Sequence, residues 1–102
     1  MADKKSPNPT AELDPLIHTP SRLNIITNLY VVESADFIFL RNLTGLTWGN
    51  LSAHVSKLAE AGYVEVEKTI VNKKTHSVAA LTEAGRSAFE QYREQMMSVL
   101  KK

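Results

Sequence analysis

Between Thr47 and Ala61 the side chains fall into two sets. Leu51, Val55 and Leu58 stand at i, i+4 and i+7, the spacing that gathers apolar residues on one face of a helix. Asn50, Ser52, Ala53, Ser56 and Lys57 lie between them and are small, polar or cationic. A helix with such a second face is slim and able to hydrogen-bond, which is what a DNA major groove about 12 Å wide requires of anything that enters it. Trp48 and Gly49 stand at its leading end, with Thr47 as N-cap. Asn50 carries the most specific chemistry, because a carboxamide can bond an adenine edge through its donor and its acceptor together. Lys57, farther along, has the reach and charge for a phosphate.

A second group is cationic. Lys68, Lys73, Lys74 and His76 surround a polar turn, and such a projection beside the helix suits phosphate neutralisation, the main source of sequence-independent affinity for DNA. Lysines also populate ordinary solvated turns, and only this placement gives Lys73 and Lys74 a role. Trp48 has two readings, a base contact or a partly buried staple against the preceding helix. His54 adjoins the apolar stripe and reads as a hydrogen-bonded structural histidine. His18, His54 and His76 have no local ligand spacing, so no metal is expected. No GxSxG elbow, Gly-rich phosphate loop or HExxH is present; an enzyme is not expected, nor is a cofactor.

The elements that must position these groups are marked by caps. Asp14-Pro15 reads as an N-cap followed by proline at the first helical position, with Leu13, Leu16 and Ile17 clustered around that first turn. Thr19-Pro20 repeats the signal and opens a helix to Val32, with Leu23, Ile25, Ile26, Leu29 and Tyr30 as its stripe. Asp36 caps a short helix to about Thr44, with Phe37, Leu40 and Leu43 inward, and Gly45 ends it. The helix from Thr47 ends at Gly62. The period then changes to two: Tyr63 to Val71 and His76 to Leu81 read as strands, joined by the turn Asn72-Lys73-Lys74-Thr75. Thr82 caps a last helix, Glu83 to Leu100, with Ala84, Ala88, Phe89, Tyr92, Met96 and Val99 as its stripe.

The chain of 102 residues has room for one ordinary domain. Residues 1–12 are polar with two prolines and read as a flexible arm; residues 13–102 form the domain, including the helix 83–100. With 43% apolar and 23% charged residues the composition is globular. No apolar run is long enough for a membrane and no signal peptide is visible, so no membrane partner is expected. The absence of cysteine excludes disulfides and thiolate metal sites, and a cytoplasmic location is the expectation. The net charge of +1 is low for a nucleic-acid binder.

The stretch Leu46-Thr47-Trp48-Gly49-Asn50-Leu51-Ser52-Ala53-His54-Val55-Ser56-Lys57-Leu58-Ala59-Glu60-Ala61-Gly62-Tyr63-Val64 resembles the recognition helix and following strand of MarR- and ArsR-type winged-helix regulators. Leu81-Thr82-Glu83-Ala84-Gly85-Arg86 is similar to the LTxxG start of the helix after the wing in MarR-like proteins. The resemblance covers about residues 15 to 100 and is nearest to short, stand-alone regulators of this kind. It implies a mainly α winged helix-turn-helix with a small β-hairpin wing, a homodimer held by terminal helices, and Asn50, Ser52 and the wing lysines at double-stranded DNA. It also allows a small-molecule effector, for which no residue stands out. The cysteine ligands of metal-sensing ArsR members are absent, so metal sensing does not carry over.

The expected function is that of a sequence-specific transcription regulator acting as a homodimer, with the helix 47–61 in the major groove and the wing 68–76 on the phosphate backbone. The dimer interface is expected from Leu13, Leu16, Ile17, Phe89, Tyr92, Met96 and Val99, since the last stripe is longer than a small core needs. The alternative is a winged helix that binds protein and not DNA, favoured by the charge balance and by Glu60, Glu65 and Glu67 near the presumed DNA face.

Overall fold

The computed structural model describes residues 13–101, and the arm expected over 1–12 lies outside the described residues. The chain order is α1 (Pro20–Val32), β1 (Ser34–Asp36), α2 (Phe37–Thr44), α3 (Trp48–Glu60), β2 (Val64–Val71), β3 (Lys74–Leu81) and α4 (Glu83–Leu100). Each helix begins on a side chain that satisfies one of its free amides. Thr19 accepts from Arg22 N, Asp36 from Ile38 N, Thr47 from Asn50 N and Thr82 from Gly85 N. Gly45 ends α2 in the left-handed region, φ 73°, a conformation that costs glycine nothing sterically.

The helices enclose one core. Ile25, Ile26 and Leu29 of α1, Leu40 of α2, and Leu51, Val55 and Leu58 of α3 are buried with Val64 and Ala79 of the sheet and Phe89 and Tyr92 of α4. Leu23, Tyr30, Phe37, Ala88 and Met96 pack partly against them. Two expected core positions differ: Leu43 is 45% exposed and Ala84 is exposed. Helix α2 has only eight residues and one fully buried side chain, Leu40, so its flank at Leu43 faces outward.

The expected helix start at Asp14-Pro15 is a single hydrogen-bonded turn. Asp14 does cap it, accepting from Leu16 N at 2.9 Å, and the amide of His18 bonds the Asp14 carbonyl at 2.8 Å. The turn cannot continue, because Pro20 lacks an amide hydrogen and disfavours helical geometry in the residue before it. Thr19 accordingly sits extended, at φ −137° and ψ 144°.

The sheet has three strands in the order β1-β3-β2, all antiparallel. Strand β1, three residues long, was not visible in the periodicity; it pairs Ala35 with Ala79 and Asp36 with Val78. The hairpin is tighter than expected. β3 begins at Lys74, paired with Val71, and the turn is Asn72-Lys73 alone, with φ 53° and 66°. Positive φ at both turn residues is the geometry that matches the right-handed twist of the flanking strands. Of β2 only Val64 is buried, and beyond it the hairpin projects from the core, with Val66, Ile70 and Val71 exposed. Gly85 brings α4 close to this base: a Cβ there would collide with the Tyr63 carbonyl and approach Leu81 Cδ1 to 2.8 Å.

Candidate nucleic-acid interface

Helix α3 is held by one face and free on the other. Leu51 and Leu58 are fully buried and Val55 is 1% exposed, while Asn50, Ser52, Ala53, Ser56 and Lys57 are all exposed. Thr47 is exposed as well, and its hydroxyl oxygen accepts the Asn50 amide at 3.1 Å. That bond fixes the first turn of α3 and leaves the Asn50 carboxamide to solvent. Gly45 and Leu46 connect α2 to the cap in a short turn, the helix-turn-helix arrangement.

Trp48 is 49% exposed, so it is not a core residue. The Arg41 guanidinium, from the last turn of α2, lies 4.9 Å from its ring centroid. The indole thus packs against the preceding helix through a cation, an arrangement between the two readings of the sequence. Arg41 itself was missed, because nothing in its local context connects it to a ring seven positions later across a turn.

His54 faces inward from α3 and is half-buried. Arg22 Nε donates to the Leu16 carbonyl at 2.6 Å and its Nη1 reaches His54 Nδ1 at 3.2 Å. Arginine only donates, so Nδ1 must be an acceptor and the ring is neutral with its proton on Nε2. Burial, with the charges of Arg22 and Lys57 nearby, holds the imidazole below its ordinary pKa. His54 therefore ties α3 to α1 and the N-terminal turn, as a structural histidine does.

In the wing, Lys68, Lys73 and Lys74 are exposed, the last two at the tip of the hairpin. His76 is a correction to the basic cluster. It pairs with Thr69 inside the sheet, and its Nδ1 lies 2.6 Å from the carboxylate of Asp36, the N-cap of α2. Burial works to raise the Asp36 carboxyl, but the bonds from His76 and from the amides of Ile38 and Phe39 hold it below the ordinary value. His76 is engaged in joining the wing to α2.

The expected dimer residues need a similar correction. Leu13, Ile17, Phe89 and Tyr92 are at most 8% exposed and belong to the core of the single chain, so they offer no free surface. The N-terminal turn is bolted down by polar contacts that the sequence did not reveal: Tyr63 donates to Asp14 at 2.5 Å, and His18 Nδ1 lies 2.8 Å from the Tyr92 hydroxyl. The bond to Asp14 together with burial pushes the Tyr63 phenol up to about 12, and burial alone raises Tyr92. Leu16, Met96 and Val99 are half-buried, while Met97 and Leu100 are 53% and 72% exposed.

The charge distribution explains how a chain of net charge +1 can present a basic surface. No Asp or Glu lies between Phe37 and Ala59, which is all of α2 and α3 except Glu60 at the end of α3, whereas Arg41 and Lys57 do. Among the described residues no group of His, Cys, Asp and Glu could hold a metal. A cleft of about 260 Å³ lies between Asp14, Tyr63, Ala88, Gln91, Tyr92 and Gln95. It is smaller than the roughly 300–1,000 Å³ of ordinary ligand pockets.

Three short antiparallel strands, a helix-turn-helix and a projecting hairpin define a winged helix-turn-helix protein. The chain belongs to the winged helix DNA-binding domain family, whose family model matches residues 21–100. An uncharacterized protein of Methanocaldococcus jannaschii is 34% identical over 80 residues, covering 78% of this chain and 87% of its own length. Among solved structures, a transcriptional regulator homologue from Pyrococcus horikoshii OT3 is similar with a TM-score of 0.80 and 26% identity, over 84% of this chain and 85% of that one. NadR, solved in complex with 4-hydroxyphenylacetate, is similar in fold, with a TM-score of 0.70 and 22% identity over 91% of this chain and 68% of that one. The family makes the chain a winged helix DNA-binding protein. Among the described residues no helix is long and apolar enough to cross a membrane.

Proposed function

We propose that the chain is a sequence-specific transcription regulator that binds as a homodimer, with α3 in the major groove and the wing on the phosphate backbone. The observation that carries this reading is the two-sided character of α3. Leu51, Val55 and Leu58 anchor it, and Asn50, Ser52, Ala53, Ser56 and Lys57 form a slim hydrogen-bonding face, with Glu60 only at its far end. Asn50 reads a base edge, Lys57 and the wing lysines Lys68, Lys73 and Lys74 meet phosphates, and His76 braces the wing. The homodimer is proposed to form through the end of α4 and its neighbourhood, where Met97 and Leu100 are exposed beyond the core.

The test is binding to duplex DNA by the parent, Asn50→Ala and Lys73→Ala/Lys74→Ala. The lysine pair should weaken all duplexes about equally, and Asn50→Ala should weaken the preferred one. Unchanged binding in both variants would refute this docking face. The protein-interaction reading is favoured by Ile38, Phe39 and Leu43, exposed together on α2. It predicts passage through a DNA resin at low salt, whereas the first reading predicts retention that falls as salt rises.

A further inference from the structure

The groove face and the wing do not account for Arg41. Its guanidinium stands over the Trp48 ring at 4.9 Å, yet Arg41 is exposed, and among the described residues its side chain has no hydrogen-bond or ion-pair partner. A cation over an indole face is attracted there by the negative face of the ring. A guanidinium carries five N–H donors, and holding it over one ring leaves donors free for a second partner. Trp48 is the first residue of α3, so the group it holds lies at the end of the helix that leads into the groove. A groove-bound helix is flanked by phosphates, and the cations already assigned lie elsewhere: Lys57 in the last turn of α3, and Lys68, Lys73 and Lys74 on the wing. The leading end has Arg41 alone within an acid-free segment.

On the reading of α3 as the groove helix, we propose that Arg41 is a phosphate contact supplied by α2, and that Trp48 is the residue that positions it. Trp48 then acts through Arg41, setting where the cation sits. Arginine suits the role better than lysine, because its planar group stacks and bonds phosphate oxygens at the same time.

The experiment is the salt dependence of DNA binding, measured on a preferred duplex and on a random one, for the parent, Arg41→Ala, Arg41→Gln, Trp48→Leu, Trp48→Phe and Arg41→Ala/Trp48→Leu. Loss of one phosphate contact lowers the slope of log K against log salt by about 1. Between about 50 and 200 mM salt, Arg41→Ala should therefore lose about fourfold less affinity than the parent does. Arg41→Gln keeps a side chain over the ring and should show the same slope, which separates charge from folding. Binding should weaken alike on both duplexes. Trp48→Leu should weaken binding alike on both, Trp48→Phe should restore it, and in the Arg41→Ala background Trp48→Leu should add nothing.

An unchanged slope in Arg41→Ala, with the parent binding in a salt-dependent way, overturns the phosphate contact. A loss confined to the preferred duplex overturns it too, by making Arg41 a base reader. Additive effects of the two substitutions overturn the positioning role. Failure of the parent to bind any duplex is a different result and removes the reading of α3 itself.

Discussion

Asn50 and Leu51 are neighbours in the sequence with opposite work to do. The Asn50 side chain is exposed on the first turn of α3, and Leu51 is fully buried beneath it. Asn50→Ala should leave the unfolding free energy within about 0.5 kcal/mol of the parent's. It should cost about 1–3 kcal/mol of discrimination at one base position, read by competition between duplexes. Leu51→Ala should instead cost about 2–5 kcal/mol of stability, read by urea titration. His54 gives a pH prediction. Its folded pKa lies below the ordinary value near 6.5, so the unfolded chain binds more protons as the pH falls below that value. The stability that the neutral ring contributes is present above about pH 6.5 and lost as the pH falls through the depressed value. His54→Gln can still accept from Arg22 and cannot titrate. The gap between parent and variant in urea midpoint should therefore narrow or reverse in the variant's favour from pH 7.5 to 5.5. Legibility at this scale follows distance along the chain. Asn50, Lys57 and the buried stripe declare themselves within one helix. Arg41 over Trp48, Tyr63 on Asp14 and His76 on Asp36 are contacts made by the fold, and residue type alone does not announce them.

At the scale of the element, the four helix caps were all readable, because Thr19, Asp36, Thr47 and Thr82 each precede an apolar run at helical spacing. Asp14 carries the same signal and makes the same kind of bond, but Thr19-Pro20 follows too closely for a helix to develop. Strand β1 was unreadable since three residues hold no period, and its existence depends on pairing with β3. The wing turn offers a test of the geometry. Lys73 at φ 66° pays the steric penalty of a side chain in the left-handed region, about 1–2 kcal/mol. Lys73→Gly should raise the melting temperature while lowering affinity for every duplex, and a fall in melting temperature would contradict the turn described. Gly85 works in the opposite sense. Its contact with the Tyr63 carbonyl means that Gly85→Ala should destabilise by about 1–3 kcal/mol, measured by denaturant titration, which gives a physical reason for the glycine in the LTxxG-like stretch.

At the scale of the molecule, α4 is about 27 Å long at the usual rise per residue. Its buried positions are Gly85, Phe89 and Tyr92, so its C-terminal half carries Met97 and Leu100 past the core. The sequence stripe runs the length of α4 but could not separate residues used inside the chain from those left outside it, since both follow the same helical period. Met97→Glu/Leu100→Glu should convert a dimeric mass to a monomeric one in light scattering. A monomeric parent at micromolar concentration would rule out the dimer. The net charge of +1 was equally ambiguous, because it averages the acid-free stretch Phe37 to Ala59 with acidic groups at the end of α3 and on β2 and α4. Whether α3 reads DNA sequence as one half of a two-fold pair is decided by selecting bound duplexes from a random pool. An enriched two-fold symmetric motif is expected, its half-sites about one helical turn apart, roughly 34–36 Å, with one position relaxed in Asn50→Ala. A pool that stays random, with a protein that folds and is retained by no duplex at low salt, would contradict it.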